Sequence, residues 1–379
     1  MQRLQLSVPA KPIKHEILIG RGLLSAAGKE IRHRLGLQTQ RLALVSNKKV
    51  FKLYGALVVE RLEASGFQVS YWLMGDGERY KSLKTAEQAL QFFSERGIER
   101  TDVVVSLGGG VAGDLAGFAA AIYLRGISFV QIPTTLVAQV DASIGGKVAA
   151  NLSSGKNRAG AFHQPDIVIS DLETLKTLPA RELTAGWCEC IKQGAIGSRK
   201  LFSQTMAYLA EIKGKPLPVT LQLEHLIAAH AALKASIVKS DVREEPERND
   251  RRSRRILNFG HTVGHALEEL TDYRRFRHGE AVGWGMLVAG ELSKNLGLLD
   301  QSELELLRAG IRLCGPLPAT GKINVDAILS AVTRDKKSAH GQVQWILLER
   351  IGRPRIVSGK EIDVASLKSS IRGALQKRN

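Results

Sequence analysis

Cysteine is scarce in this sequence, and long apolar runs are absent. Only Cys188, Cys190 and Cys314 occur among 379 residues, which excludes a disulfide framework. Cys188 and Cys190 form C-x-C and not the C-x-x-C of zinc and redox motifs, so we interpret all three as reduced thiols. No apolar run reaches the roughly 18 residues that a membrane span needs, and the N-terminal segment lacks the apolar core of a signal peptide. We therefore expect a cytoplasmic protein with no membrane partner.

Acidic residues are under-represented. Asp and Glu total 37 against 54 Lys and Arg, which gives a formal net charge of +17. Such a balance favours anionic partners, which are nucleic acid, anionic lipid or phosphorylated small molecules, although composition alone favours a basic solvated surface more. Arginines cluster at 251–255 and 274–277, but no recognition helix, zinc finger or RNA-binding platform accompanies them. We therefore expect a phosphorylated small-molecule substrate and no nucleic acid.

Strand and helix patterns alternate through the first half of the chain. Apolar strands are predicted at 41–46, 67–74, 102–107, 129–135 and 166–171, and helices at 50–66, 82–97 and 114–124. Strands separated by helices of this length predict a mostly parallel, Rossmann-like sheet with helices on both faces.

The second half has mainly helical patterns. Helices are predicted at 181–196, 200–212, 222–240, 260–272, 279–297 and 301–314, and short strands only at 342–350 and 354–357. We therefore predict an α/β domain over residues 1–175 and a mainly α-helical domain over residues 176–379.

A glycine-rich turn joins one predicted strand to the next helix. The segment carries Gly108, Gly110 and Gly113 in a G-x-G-x-x-G spacing. Glycines let a backbone approach a pyrophosphate closely, and the N–H groups at a helix N-terminus face its oxygens. The acidic residue expected about 20 positions later is missing, and the motif follows the third predicted strand, so a tight structural turn remains the alternative. The flanking strand and helix favour nucleotide or phosphate binding.

A second cluster of glycines and lysines follows at 139–162. Lys147 and Lys156 each come directly after a glycine, in what we interpret as a loop of small residues. Lysines on such a loop can reach phosphate or carboxylate oxygens as point charges. A flexible surface loop is the alternative, but the apolar flanks and the nearby Asp141 and Asn157 weigh against it.

Three of the nine histidines lie close together in the sequence. His261 and His265 are four residues apart on one predicted helix, and His278 follows a basic segment. Histidines on a shared face favour zinc or a similar metal. Thr262 stands where H-E-x-x-H proteases have their glutamate, so that chemistry is excluded. A structural role for the pair and a metal site both remain open.

A carboxylate ligand for such a metal is available in another helix. Glu189 lies in an apolar helical stretch, where a glutamate is rarely buried unless it is paired or bound to metal. Lys192 follows three residues later, so an ion pair within one helix is the alternative to a metal ligand.

The motifs together resemble the 3-dehydroquinate synthase family. The matching segments run in family order and cover most of the chain from about residue 40 to residue 350. They are DGERYKSL (76–83), LGGGVAGDLAGFAAAIYLRG (107–126), PTTLVAQVDASIGGK (133–147), GKNRAGAFHQP (155–165), TLKTLPARELTAG (174–186), LNFGHTVGHALE (257–268), HGEAVGWGM (278–286) and RDKK (334–337).

The resemblance implies an NAD-dependent and zinc- or cobalt-dependent homodimer, in which residues 1–175 bind NAD and residues 176–379 bind metal and substrate. It implies conversion of 3-deoxy-D-arabino-heptulosonate 7-phosphate to 3-dehydroquinate and phosphate, a lyase reaction of the shikimate pathway and of aromatic amino acid biosynthesis. The implied steps are transient oxidation by NAD, phosphate elimination, re-reduction and an intramolecular aldol closure. The positions that match the metal ligands are Glu189, His261 and His278.

The resemblance also assigns the other site residues. The positions that match NAD contacts are Asp76, Gly77, Glu78, Arg79, Tyr80, Lys81, Gly110, Val111, Ala112, Gly113, Asp114, Thr134, Thr135, Lys147, Lys156, Thr174, Leu175, Lys176 and Thr177. The positions that match substrate contacts are Arg125, Asp141, Lys147, Asn157, Lys192, Lys234, Arg254, Asn258, His265 and Lys337.

The sequence departs from the family pattern at three places. Cys188 and Cys190 flank the glutamate in a segment that is usually A-E-V-I-K, and His163 replaces the usual Tyr of F-Y-Q-P. The segment 241–255 is longer and more basic than usual, which leaves Arg252 and Arg255 as alternatives to Arg254. Two other functions stay open: a related sugar phosphate cyclase with another substrate, and a metal-dependent polyol-phosphate dehydrogenase.

Overall fold

The computed structural model describes residues 15–321, 323–338 and 343–376, without the side chains of 335–338 and 376. Six strands form one parallel sheet in the order β1-β8-β5-β4-β2-β3. Their bounds are β1 Glu16–Gly20, β2 Arg41–Asn47, β3 Gln68–Met74, β4 Val103–Gly108, β5 Ser128–Pro133 and β8 Ile167–Asp171. Two antiparallel hairpins complete the strands: β6 Lys147–Leu152 with β7 Gly155–Phe162, and β9 Gln344–Arg350 with β10 Arg353–Ser358.

Helices cover both faces of the large sheet and make up most of the second half. In the first half they are α1 Ala27–Leu35, α2 Lys48–Val50, α3 Ala56–Glu63, α4 Leu83–Glu95 and α5 Gly110–Ile122. In the second half they are α6 Ala180–Gly197, α7 Arg199–Ile212, α8 Leu221–Ser240, α9 His261–Glu269, α10 His278–Asn295, α11 Gln301–Cys314, α12 Val325–Ser338 and α13 Val364–Gln376. Within the described ranges, no helix combines the length and the apolar character needed to cross a membrane.

Alternation along the central strands explains why the sheet is covered on both sides. In β2, Leu42 and Leu44 belong to one apolar cluster, whereas Ala43 and Val45 belong to the other. Successive side chains of a strand point to opposite faces, and all four are fully buried. A strand that is apolar at every position is typical of a parallel sheet between two helical layers.

The predicted fold class is confirmed: a parallel sheet with helices on both faces comes first, and a helix-rich part follows. Besides β6 and β7, four of these elements were missed, and one of them is α1, which precedes the first predicted strand. β1 is a short edge strand that pairs only with β8, and α12 and α13 follow the last predicted helix. The glycine turn therefore follows the fourth strand of the chain and not the third. The domain boundary at residue 175 stays a prediction.

The interpretation of 139–162 as a small-residue loop was wrong. Lys147 begins β6, and Lys156 lies in β7 of the same hairpin. The hairpin packs along α5, where a Cβ at Gly117 would lie 2.5 Å from the side chain of Val148. Its small residues lie against that helix, so little of the usual apolar alternation of a strand is visible in the sequence.

Candidate active site

The carboxyl edge of the parallel sheet provides a crevice for a ligand. The chain passes from β2 outward to β3, whereas it passes from β4 in the opposite direction to β5. Ligands of open α/β sheets bind outside the carboxyl ends of the strands where the direction reverses, here between β2 and β4. Asn47 ends β2 on one side of this crevice, and Gly108 ends β4 on the other.

The glycine turn is packed tightly against its neighbours. A Cβ at Gly109 would lie 3.0 Å from Thr135 Cγ2, and one at Gly110 would lie 3.2 Å from the Cβ of Ala142. The Thr134 N–H donates to the carbonyl oxygen of Gly108 at 2.9 Å. Because no side chain caps the start of α5, the N–H groups of its first turn stay available for an anion.

Replacing Gly110 by Val is expected to weaken NAD binding about tenfold or more while the fold is kept. The branched side chain would fill the narrow space beside Ala142 and hold a ligand away from the backbone of the turn. Calorimetric titration with NAD measures the effect. Gly20→Val is the control, because a Cβ there meets only ordinary contacts, 3.6 Å from Leu23, at the far edge of the sheet. Equal NAD affinity in the two variants would contradict a role for the turn.

Several residues with predicted NAD contacts converge beside this turn. The Lys81 ammonium pairs with the Asp114 carboxylate and donates to Asn157 Oδ1 at 2.5 Å. Glu78 Oε1 lies 3.7 Å from Lys156 Nζ. Burial opposes ionisation of Glu78, but Lys156 and Lys81 hold its pKa below the usual value. Asn157, which was assigned to substrate, thus contacts a residue of the predicted NAD group.

The other predicted NAD contacts lie at the same edge of the sheet. Asp76 follows β3 and accepts from Asn47 Nδ2 at 3.3 Å, and Gly77 has a left-handed φ of 95°. The remaining ones are distributed over three segments: Arg79 and Tyr80 before α4, Val111, Ala112 and Gly113 in the first turn of α5, and Thr174, Leu175, Lys176 and Thr177 in the 3-10 helix after β8.

Glu189, His261 and His278 meet in the helical half of the chain. They come from α6, from the start of α9 and from the start of α10, and one ligand atom of each lies within 4.8 Å of the others. Glu189 is completely buried, and its Oε1 lies 3.7 Å from His278 Nε2. Burial lowers the pKa of His261, so its imidazole stays neutral, which is the form that binds a metal.

The carboxylate of Glu189 fits a metal ligand. Neither oxygen has a hydrogen-bond partner among the described residues, although Lys192 Nζ lies 2.6 Å from Oε2 as an ion pair outside hydrogen-bond geometry. The ion pair that the sequence left as an alternative is therefore present. Lys192 pairs with only one of the two oxygens, so Oε1 stays available, and this carboxylate together with the two imidazoles suits zinc or cobalt.

Close approach of the helices brings these ligands together. A Cβ at Gly279 would lie 1.9 Å from the backbone oxygen of Ala185 in α6, and one at Gly285 would lie 1.8 Å from that of Gly260, directly before α9. Only glycine permits such backbone contact. After His278, the backbone of α10 therefore lies in direct contact with α6, which carries Glu189, and with the residue before α9, which carries His261.

A cluster of charges surrounds Asp141 next to this centre. Its Oδ1 lies 2.8 Å from Lys234 Nζ and 3.8 Å from Lys192 Nζ. Burial alone would raise the pKa of Asp141, but the two ammonium groups lower it well below its usual range. Lys192 and Lys234 are themselves buried. The three predicted substrate contacts therefore form one cluster of charges beside Glu189.

Arg254 is a further predicted substrate contact in the helical half. Its side chain is buried and donates to the carbonyl oxygen of Gly145 at 3.0 Å, two residues before Lys147. The neighbouring alternatives point elsewhere: Arg252 is exposed, and the Arg255 guanidinium donates to the Glu245 carbonyl oxygen at 2.9 Å. The geometry therefore favours Arg254 over both neighbours as a site residue.

Lys147 and Asn258 are joined by a residue that the sequence did not indicate. One carboxylate oxygen of Glu244 pairs with the Lys147 ammonium, and the other accepts from Asn258 Nδ2 at 3.0 Å. Glu244 has a left-handed φ of 55° and lies in the charged segment 241–255. The Glu244 carboxylate thus contacts two residues, Lys147 and Asn258, that are predicted to bind the substrate.

The remaining substrate candidates differ in position. His265 lies with its ring 5.3 Å from that of His261 and 5.9 Å from that of His278. Arg125 is exposed in the turn after α5, with a left-handed φ of 70°, and within the described ranges no hydrogen bond or ion pair joins it to another candidate. Lys337 lies in α12, but its side chain is outside the described residues.

The residues that depart from the family pattern have defined surroundings in the structure. All three cysteines are free and buried, as predicted, and neither Cys188 nor Cys190 joins a group of candidate ligands in the described part of the chain. Cys188 instead faces α10, where a Cβ at Gly283 would lie 3.1 Å from its sulfur. His163 Nε2 lies 2.9 Å from the Ile127 carbonyl oxygen.

Comparisons with known proteins agree with these observations. Residues 71–185 match the family model described as 3-dehydroquinate synthase N-terminal, and residues 186–338 match its C-terminal counterpart. A 3-dehydroquinate synthase of Pelotomaculum thermopropionicum is 43% identical over 347 residues, covering 91% of this chain and 90% of the relative.

Solved structures of sugar phosphate cyclases share the fold. The 2-epi-5-epi-valiolone synthase of Streptomyces hygroscopicus subsp. jinggangensis, with NAD+ and Zn2+ bound, has a TM-score of 0.87 at 23% identity, covering 99% of this chain and all of that one. A 2-deoxy-scyllo-inosose synthase in complex with carbaglucose-6-phosphate, NAD+ and Co2+ has a TM-score of 0.79 at 26% identity, covering 94% and 96%. With both family models matched in order and this identity over nine-tenths of the sequence, the chain belongs to the 3-dehydroquinate synthase family.

Proposed function

We propose that the chain converts 3-deoxy-D-arabino-heptulosonate 7-phosphate to 3-dehydroquinate and phosphate, as a phosphate-eliminating lyase that uses NAD and a divalent metal. The observation that carries this proposal is the juxtaposition of two groups. The buried Glu189 carboxylate without hydrogen bonds faces two imidazoles, and the cluster of Asp141, Lys192 and Lys234 lies beside it.

The metal would be held by Glu189, His261 and His278, and would polarise a substrate oxygen as a Lewis acid. NAD would lie over the glycine turn at the carboxyl edge of the sheet and supply reversible hydride transfer. A related cyclase structure with NAD+ and Co2+ bound, 26% identical to this chain, supports both assignments.

The residues of this chain would bind and orient the substrate. Lys234 and Lys192 point at Asp141 from two helices and can donate to substrate oxygens beside the metal ligands. Arg254 is a further buried cation that donates to the Gly145 carbonyl oxygen, and it would offer a second anionic group a charged donor. Three buried cations, Lys192, Lys234 and Arg254, suit a substrate that carries both a carboxylate and a phosphate. Holding an open chain between them would favour ring closure over unproductive conformations.

The site assignments from the sequence, the division into NAD-binding and metal-binding domains, homodimer assembly and a cytoplasmic location belong to the same proposal. Two observations support these assignments. The chain belongs to the family, and the predicted NAD contacts converge at the sheet edge while the predicted metal ligands converge in the helical half.

The redox balance of the reaction tests the proposal. With the heptulosonate phosphate as substrate and catalytic NAD, we expect one phosphate released per substrate consumed and no net NADH absorbance at 340 nm. The hydride removed at the first step returns in the same site, so the coenzyme is regenerated. A chelator is expected to abolish phosphate release.

Two outcomes would contradict this function in different ways. Stoichiometric NADH with phosphate still attached to the product would indicate a polyol-phosphate dehydrogenase. Phosphate release from a 7-phosphate sugar without the carboxylate, and none from the heptulosonate, would indicate a cyclase with another substrate.

A further inference from the structure

A second buried carboxylate lies behind the candidate metal centre. Glu268, in α9, is only 3% exposed, and both of its oxygens are engaged. Oε2 lies 3.3 Å from His278 Nδ1, and Oε1 accepts from Lys156 Nζ at 2.9 Å. The other ring nitrogen of His278, Nε2, faces Glu189. His278 is therefore held between two carboxylates, one on each side of its ring.

Two groups of possible metal ligands share His278. One is Glu189 with His261 and His278, and the other is His265 with Glu268 and His278. Glu189 Oε1 has no hydrogen-bond partner among the described residues, although Lys192 pairs with Oε2, whereas both oxygens of Glu268 are engaged by an ammonium and an imidazole. The first group is therefore the better metal site, whereas the Glu268 carboxylate contacts the imidazole ring of His278.

We propose that Glu268 is a positioning residue, which fixes the tautomer and the orientation of His278 and so sets the metal affinity of the centre. A carboxylate only accepts, so the Nδ1 of His278 carries the proton and Nε2 presents its lone pair toward Glu189. A carboxylate partner on the far nitrogen also makes an imidazole a stronger ligand. The inference rests on the proposed function, because it requires a metal at Glu189, His261 and His278.

Lys156 supplies the positive charge that allows the Glu268 carboxylate to be buried beside His278. An unpaired buried carboxylate is strongly unfavourable, and the Lys156 ammonium compensates Glu268 from the β6–β7 hairpin of the other half of the chain. The same ammonium lies 3.7 Å from Glu78, a predicted NAD contact. A chain of contacts therefore links Glu78, a predicted NAD contact, through Lys156 and Glu268 to the predicted metal ligand His278.

The test compares metal affinities of the full chain after removal and controlled return of the metal. Glu268→Gln keeps the size of the side chain and removes its charge. We expect its zinc affinity, measured by competition with a coloured chelator, to fall about 10- to 100-fold. The visible absorption of the Co2+-loaded protein is expected to change as well, since it reports the ligand field at the metal. Glu269→Gln is the matched control, because Glu269 is the next residue and pairs with Arg334 at the surface.

Each outcome decides a different point. A wild-type protein that binds no zinc would overturn the metal centre of the proposed function. A wild-type protein that binds zinc, with equal affinity in Glu268→Gln, would overturn the positioning role alone. If Glu268→Gln does not fold, 15N NMR of histidine-labelled, metal-free wild type decides: a neutral His278 with its proton on Nδ1 supports the proposal, and one with its proton on Nε2 overturns it.

Discussion

Replacing Glu189 by Ala is expected to lower kcat at least about a thousandfold, because the centre loses its only charged ligand and with it the Lewis acid. The same change removes the partner of the buried Lys192 ammonium, 2.6 Å away. Zinc bound per chain, measured by elemental analysis after dialysis, should fall in parallel with activity. His261→Ala and His278→Ala are expected to give the same two losses.

Glu182→Ala is the matched control for this experiment. Glu182 lies in the same helix, α6, but its side chain is partly exposed and pairs with Arg277 at 2.8 Å. Surface ion pairs of this kind contribute about 0–1 kcal/mol to stability, so the control should keep both zinc and activity. Full zinc occupancy in the three ligand variants would show that the metal is held elsewhere.

Gly279→Ala is expected to destabilise the helical half of the chain and to weaken metal binding together. The added Cβ would lie 1.9 Å from the backbone oxygen of Ala185, so α10 and α6 must move apart. Overpacking of this kind typically costs about 1–3 kcal/mol, and the clash here involves backbone that cannot rotate away. We expect a thermal midpoint lower by about 5 °C or more, and weaker zinc binding because His278 precedes the clash.

Gly373→Ala is the corresponding control. Gly373 is also helical, in α13, but a Cβ there would lie 3.6 Å from the Glu291 carboxyl, an ordinary contact distance. Alanine favours helix over glycine by up to about 1 kcal/mol, so the thermal midpoint should stay the same or rise. An unchanged midpoint in Gly279→Ala would mean that the two helices do not depend on this close approach.

Periodicity made most of the fold predictable from the sequence. Segments such as 102–107 are apolar at nearly every position and are bounded by turns, which is typical of a strand buried on both faces. The β6–β7 hairpin escaped prediction because its order depends on contacts from elsewhere. The Asn151 N–H donates to the Lys81 carbonyl oxygen at 2.7 Å, and no local pattern can reveal a contact between residues so far apart in the sequence.

The candidate site was predictable in part for the same reason. Glu189 stands out because its neighbours in the helix are apolar. Glu268 sits in a similar context, VGHALEEL, and the same argument applied there would have identified it as a buried carboxylate needing a partner. Glu244 carries no such signal, because it lies in a run of charges that is typical of a solvated segment. Only the folded turn brings it to Lys147 and Asn258.

The carboxylate of Glu244 has a consequence for how an anion enters the cleft. This carboxylate pairs with the Lys147 ammonium and engages the Asn258 amide, so an anion that bound these two predicted contacts would have to exchange places with it. Binding is then a competition between an external anion and one tethered to the chain. The observed affinity would then be the intrinsic affinity multiplied by the fraction of molecules in which Glu244 has released these two residues. A doubly charged anion would win that exchange more readily than a singly charged one, because its attraction to Lys147 is stronger.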